Sequence, residues 1–296
     1  MPVLASAERL RESASRMTDG KERPSDHHPA PARDAALRYL ELLKRCLTRD
    51  IFLDEEVVDV MGWPAGGPLG DPEETWAALR KSGLRIVRPI RDRALREQGA
   101  DWPPHAETMV GRARLDNVQD LVVRVLEERV PGDLVETGVW RGGIVILMRA
   151  VLAAFGDDSR RVWVCDSFQG LPTPDVERFP VDASLDVDRH MPPGITGQAL
   201  AVPVERVRRN FERYDLLDDR VCFLEGWFRD TLPDAPIDRI ALLRLDGDLY
   251  ESTMDALVNL EPKVSPGGFV IVDDYNGLDA CRAAVEDYRA KASITA

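Results

Sequence analysis

Two apolar runs in this sequence end in carboxylates. "IALLRLDGDLY" closes on Asp246 and Asp248, and "GGFVIVDDY" closes on Asp273 and Asp274. An acid at the mouth of a buried strand is unfavourable unless a proton or a cation shares it. If the two runs are neighbouring parallel strands, their ends converge, and a divalent cation relieves the repulsion. An all-oxygen set suits Mg²⁺, Mn²⁺ or Ca²⁺ rather than a metal that prefers thiolate or imidazole. A cation so held can bind two adjacent substrate hydroxyls and acidify one, and a nearby carboxylate can take the proton. A lone Asp after a strand more often caps a turn, so the convergent set carries the metal reading.

The other strand-like runs end informatively as well. "LVETGVWRGG" places Gly138, Gly142 and Gly143 in a tight strand-to-helix turn after Glu136. Trp140 stands where the dinucleotide fingerprint has its middle glycine, so a pyrophosphate would meet a bulky ring. That disfavours a nicotinamide dehydrogenase and suits a cofactor without pyrophosphate, such as S-adenosylmethionine. Asp166 in "VCDSF" is positioned to accept ribose hydroxyls, with a turn cap as the alternative. In "LEGWF", Glu225, Gly226 and the Trp227 ring can flank an adenine, with plain packing of the ring as the alternative. The candidate cofactor set is Glu136, Thr137, Gly138, Trp140, Asp166, Ser167, Glu225, Gly226 and Trp227.

These residues need a frame. From Leu115 onward, helix-period and strand-like segments alternate, which predicts a mostly parallel sheet with helices on both faces. Leu37, Leu40, Leu43 and Leu47 recur at helical spacing, and the front third has no strong strand pattern. The predicted organisation is a disordered tail over 1–34, a helical cap with lid elements over 35–114, and a cofactor-binding domain over 115–296. The Pro- and Asp-rich segment from Gly170 to Pro203 follows the second strand and reads as a lid. His190 within it is a candidate auxiliary base or substrate contact, against simple solvent exposure.

The net charge of -13 argues against nucleic acid and against an anionic membrane surface as partners. No apolar run approaches the roughly 20 residues of a membrane span, and the N-terminus lacks a signal-peptide core. None of the four cysteines sits in a CxxC pair, which suits small buried side chains in a reducing compartment. A cytoplasmic location is expected.

Taken in order, "LVETGVWRGG", "DSFQGLP", "GWFRDTLP", "LRLDGDLYEST" and "GGFVIVDDYNG" closely resemble the macrocin O-methyltransferase family of antibiotic-sugar methyltransferases. The likeness runs from about Ala36 to Ala296. It implies a Rossmann-like class I methyltransferase fold with an N-terminal helical cap, using S-adenosylmethionine and Mg²⁺. The implied substrates are sugar hydroxyls of glycosylated natural products such as macrolides and aminocoumarins. Carried onto this chain, it makes Asp246, Asp273 and Asp274 the metal ligands and Asp246 also the base; Asp248, lying past the Gly247 turn, reads as a helix-entry or loop residue. It implies a homo-oligomer built through the N-terminal helices. It also implies a final strand hairpin, which is expected to be missing here because the chain stops at "AKASITA". A catechol-like phenol as acceptor, or a cofactor-binding protein that has lost turnover, are the alternatives.

Overall fold

The protein is described here by a computed structural model covering residues 30–59, 77, 79, 81–84, 86–89, 92–184 and 197–294. His190, the middle of the expected lid and most of the expected tail lie outside the described residues. Helix α1 (Ala30–Leu47) begins inside the span predicted as tail. Pro31 is tolerated in its first turn, where a backbone N–H has no partner to lose. Leu40, Leu43 and Leu47 turn inward while Leu37 stays exposed.

The front third also holds a short antiparallel ribbon, β1 (Val57–Asp59) with β2 (Val87–Pro89), where only helices and loops were predicted. Strands of three residues are too brief to show a period-two pattern. Helix α2 (Arg93–Gln98) is capped by Asp92, whose side chain accepts from the Leu95 N–H, and ends at left-handed Gly99. Helix α3 (Arg112–Glu127) turns Leu115, Val118, Val122 and Val125 into the core.

The main sheet contains β3 (Asp133–Thr137), β4 (Val162–Asp166), β5 (Val221–Glu225), β6 (Ile240–Leu245) and β7 (Val264–Val272). All neighbours run parallel, in the order β5-β4-β3-β6-β7. Between them lie α4 (Gly143–Ala154), α5 (Val204–Arg213), the short α6 (Phe228–Thr231) and α7 (Tyr250–Leu260); α8 (Asp279–Ala292) follows β7. Alternate strand residues serve opposite faces. Leu134, Val164 and Leu242 pack with α1, α3, α4 and α5. Val135, Trp163, Cys165 and Leu243 pack with α7 and α8. Among the described residues no strand pairs with the outer side of β7, and Val270 there is exposed. No helix of the described residues is long and apolar enough to cross a membrane.

The sheet sets the site through its C-terminal edge. Beyond the strands proper, the Gly138 N–H bonds the Cys165 carbonyl, Asp246 N–H bonds Thr137, and Asp273 N–H bonds Leu245, each at 2.9 Å. Gly226 N–H likewise bonds the Asp166 carbonyl at 2.9 Å. The ladder thus carries on for one residue and aligns the strand ends in a row. The chain reverses its strand order between β3 and β6, which is where ligands bind in open parallel sheets. Close approach is needed there: Gly138 has φ 81°, and a Cβ on it would stand 1.7 Å from the Asp246 carbonyl oxygen. Gly138→Ala therefore combines left-handed strain with a backbone clash and should lower stability by about 3 kcal/mol. Denaturant melts check this; an unchanged midpoint would mean the turn is not held as described.

Candidate active site

At the reversal point lies a cavity of about 320 Å³. Of the sequence-predicted residues, Glu136, Gly138, Trp140, Asp166, Ser167, Trp227, Asp246, Asp273 and Asp274 line it. Asp248, set aside in the sequence reading, lines it too. Thr137, Glu225 and Gly226 are not among its walls: Thr137 is wholly buried and Glu225 is exposed at the end of β5.

The Gly turn is braced from β4. The Asp166 carboxylate accepts the Val139 N–H and the Phe168 N–H, both at 2.7 Å. Burial pushes its pKa up, and these backbone donors pull it back. Asp166 thus orders two turns at once, in addition to facing the cavity. Trp140 sits at φ 48°, its indole N–H donates to the Ala199 carbonyl at 3.0 Å, and the Trp102 ring meets it edge-on at 5.7 Å. The ring therefore joins the turn to the short segment Gly197–Leu200. Phe168 and Asp248 are left-handed as well, at φ 57° and 58°. Non-glycine residues in this conformation store strain and gather where a side chain must be held in one place.

The acids are organised by a residue the sequence reading missed. Arg244, on β6, is 1% exposed. Its guanidinium pairs with Glu136, with Asp246 at 2.8 Å and with Asp273. The β3–β6 register sets Glu136 directly across from Arg244. Its one signal was an arginine inside the otherwise apolar "IALLRL", where a charge is retained only with partners. Three carboxylates around it push its pKa well above the usual value despite burial. Burial lifts Glu136 to about 8, against the pull of Arg244. Asp273 is held on its other side by Arg114, at the start of α3.

With Asp273 committed to two arginines, the carboxylates that converge are those of Asp246, Asp248 and Asp274. One oxygen from each lies within 4.8 Å of the others. Burial is the leading cause of a raised pKa at all three, and repulsion from neighbouring carboxylates, Asp273 included, adds to it. Asp248 rises to about 7 and Asp274 to about 10. Among the described residues the buried Asp274 Oδ2 has no hydrogen-bond partner. An oxygen-only set with excess charge and an orphaned oxygen fits a hard divalent cation. Asp182 was also missed: buried in the turn Pro180–Ser184, it accepts the Tyr250 N–H at 2.6 Å and caps α7 just past Asp248.

A parallel sheet whose ligand crevice opens beside a Gly turn, with acids on the neighbouring strand ends, is a Rossmann-like methyltransferase. Residues 36–296 match the family described as Macrocin-O-methyltransferase (TylF), and the chain belongs to it. It is an O-methyltransferase. It is 51% identical over 262 residues to the 8-demethyl-8-(2,3-dimethoxy-alpha-L-rhamnosyl)-tetracenomycin-C 4'-O-methyltransferase of Streptomyces olivaceus, covering 88% of each chain. It is 54% identical over 200 residues to the demethyldecarbamoylnovobiocin O-methyltransferase of Streptomyces niveus, covering 68% of this chain and 74% of the relative. Among solved structures, the O-methyltransferase NovP matches with a TM-score of 0.72 and 45% identity, over 88% of this chain and 93% of that one.

The raised carboxyl pKa values fix a sign for stability. Asp248 and Asp274 hold protons more tightly in the fold than in the unfolded chain, so their contribution is complete only at acid pH. In chelator the melting temperature should fall as pH rises from 5 through about 7, and fall further toward about 10. Asp274→Asn should flatten the alkaline part of that slope. A melting temperature independent of pH over this range would contradict the assignment. Separately, Arg244→Met strands buried carboxylates and should lower stability by about 3 to 5 kcal/mol, read in a denaturant melt. An unchanged melt would remove Arg244 from this role.

Proposed function

We propose that this enzyme moves a methyl group from S-adenosylmethionine to a sugar hydroxyl of a glycosylated natural product, aided by a divalent cation, Mg²⁺ above others. The observation that carries the reading is the trio Asp246, Asp248 and Asp274, converged one strand away from the Gly138 turn. The named activities of the relatives, on a rhamnosyl tetracenomycin and on a demethyldecarbamoylnovobiocin, support a glycosylated natural product as acceptor, and we take it to be of macrolide or aminocoumarin type.

When bound, S-adenosylmethionine supplies an electrophilic methyl: the acceptor oxygen forms the new C–O bond, the C–S bond breaks, and its electron pair stays on sulfur. A bound divalent cation would supply Lewis acidity that lowers the hydroxyl pKa. The protein's own residues do the rest. Gly138 would let the turn approach the cofactor, Trp140 and Trp227 wall the cavity, and Asp166 and Ser167, also on its wall, would hold the nucleoside. Asp246 and Asp274 would hold the cation, with Asp248 beside them and Asp273 anchored to Arg244 and Arg114. The sequence reading put proton abstraction on Asp246. Asp246 is already bonded to Arg244, which weakens it as a base, whereas Asp248 has no ion pair within 4.0 Å among the described residues. Asp248 is therefore the better proton acceptor and Asp246 the anchor. Residues 35–114 act as cap and lid over a catalytic unit of 115–296, and the working form is a homo-oligomer.

Asp246→Asn should lower methyl transfer by about 10²-fold or more while leaving S-adenosylhomocysteine affinity within a few-fold. Turnover is read with Mg²⁺ on a panel of glycosylated macrolides and aminocoumarins, with catechol as the control acceptor. Near-normal turnover of the variant, or full activity of the wild type in EDTA, would sink the metal-assisted reading. Preference for catechol would replace the sugar.

A further inference from the structure

A second cavity, of about 510 Å³, lies against the cap. It shares one wall residue, Glu107, with the active site but is otherwise separate. Arg49, Arg206, Arg213 and His105 line it, in a chain whose net charge is -13. Two of these arginines are engaged. Arg49 pairs with Glu56, and Arg213 donates to Asn210 Oδ1 at 3.2 Å and lies 3.8 Å from Glu107.

Arg206 is different. Among the described residues no carboxylate oxygen lies within 4.0 Å of it, and its buried Nε has no hydrogen-bond partner. Its charge acts on Arg141, which also lacks an ion pair within that distance; burial first, then Arg206, lowers Arg141 to about 10. Among the described residues the one carboxylate on the cavity wall is Glu107, which is 6% exposed and accepts from the Tyr214 hydroxyl at 3.0 Å. Burial lifts its pKa, so it supplies less negative charge than the guanidiniums require. Positive charge left over in a recess, presented by planar guanidinium forks, is the chemistry that selects tetrahedral oxyanions.

We propose that this cavity binds a phosphoryl group, held by Arg206 and Arg213, as inorganic phosphate or as part of a phosphate-bearing metabolite. The site stands apart from the acid trio and does not depend on which acceptor is methylated. It adjoins the cofactor turn: the Glu107 carbonyl accepts the Gly143 N–H at 3.0 Å, and the Arg141 carbonyl accepts from Asn210 at 2.9 Å.

The test is calorimetric titration of the full chain with inorganic phosphate, pyrophosphate and a nucleoside diphosphate, at ionic strength fixed with chloride. Saturable binding is expected, weakened at least about tenfold by Arg206→Gln and by Arg213→Gln, with S-adenosylhomocysteine affinity unchanged within about twofold. Arg213 is 55% exposed, so its variant keeps the test valid if Arg206→Gln fails to fold. Tighter binding of the nucleoside diphosphate than of pyrophosphate would identify a metabolite, and equal binding would identify the phosphate alone. Absence of binding by all three, or binding indifferent to both substitutions, overturns the proposal.

Discussion

One buried guanidinium governs the chemistry of this sheet edge. Arg244 is fully enclosed on β6 and contacts acids from three segments: Glu136 on β3, Asp246 just past its own strand and Asp273 just past β7. A lone cation in such a place would be strongly unfavourable, and so would the acids without it. Together they let carboxylates stand where the apolar core ends. The guanidinium does not balance every acid present. Asp248 and Asp274 remain in excess, and burial first, then the charge of the other acids, raises the pKa at both. The site thus holds a charge deficit of the kind that a proton or a hard cation fills.

Alignment comes from the backbone rather than from the side chains. The parallel ladder extends one residue beyond β3, β6 and β7, so Gly138, Asp246 and Asp273 follow one another across the edge. Gly138 lets the Asp246 carbonyl come close, and Asp166 ties the Gly turn to the end of β4. A methyl donor on that turn and a metal on those acids would therefore be set at a fixed separation by strand register. Fixed separation is what a displacement between two bound groups requires. The Trp140–Ala199 bond and the Asp182 cap on α7 tie the segments around residues 197–200 and 180–184 to this edge.

Much of this was legible in the sequence. The five long strands announced themselves as apolar runs, and four of them end in the acids or glycines that line the cavity or cap its edge. What stayed hidden depended on contacts between distant segments. Arg244 looked like one polar residue in an apolar strand, because its partners lie 108 residues away at Glu136 and across the next strand at Asp273. The exchange of Asp248 for Asp273 in the converged trio could not be read either. It turns on a left-handed residue after Gly247 and on two arginines claiming Asp273. Thr137, wholly buried, and Glu225, exposed at the end of β5, sit in the expected motifs but are not among the cavity walls.

The most direct measurement is anomalous diffraction from crystals soaked in Mn²⁺ together with S-adenosylhomocysteine. The account predicts a single strong peak within coordination distance of the Asp246 and Asp274 carboxylates, with the cofactor sulfur on the Gly138 side of it. No peak there at saturating Mn²⁺, or a peak elsewhere on the molecule, would contradict it.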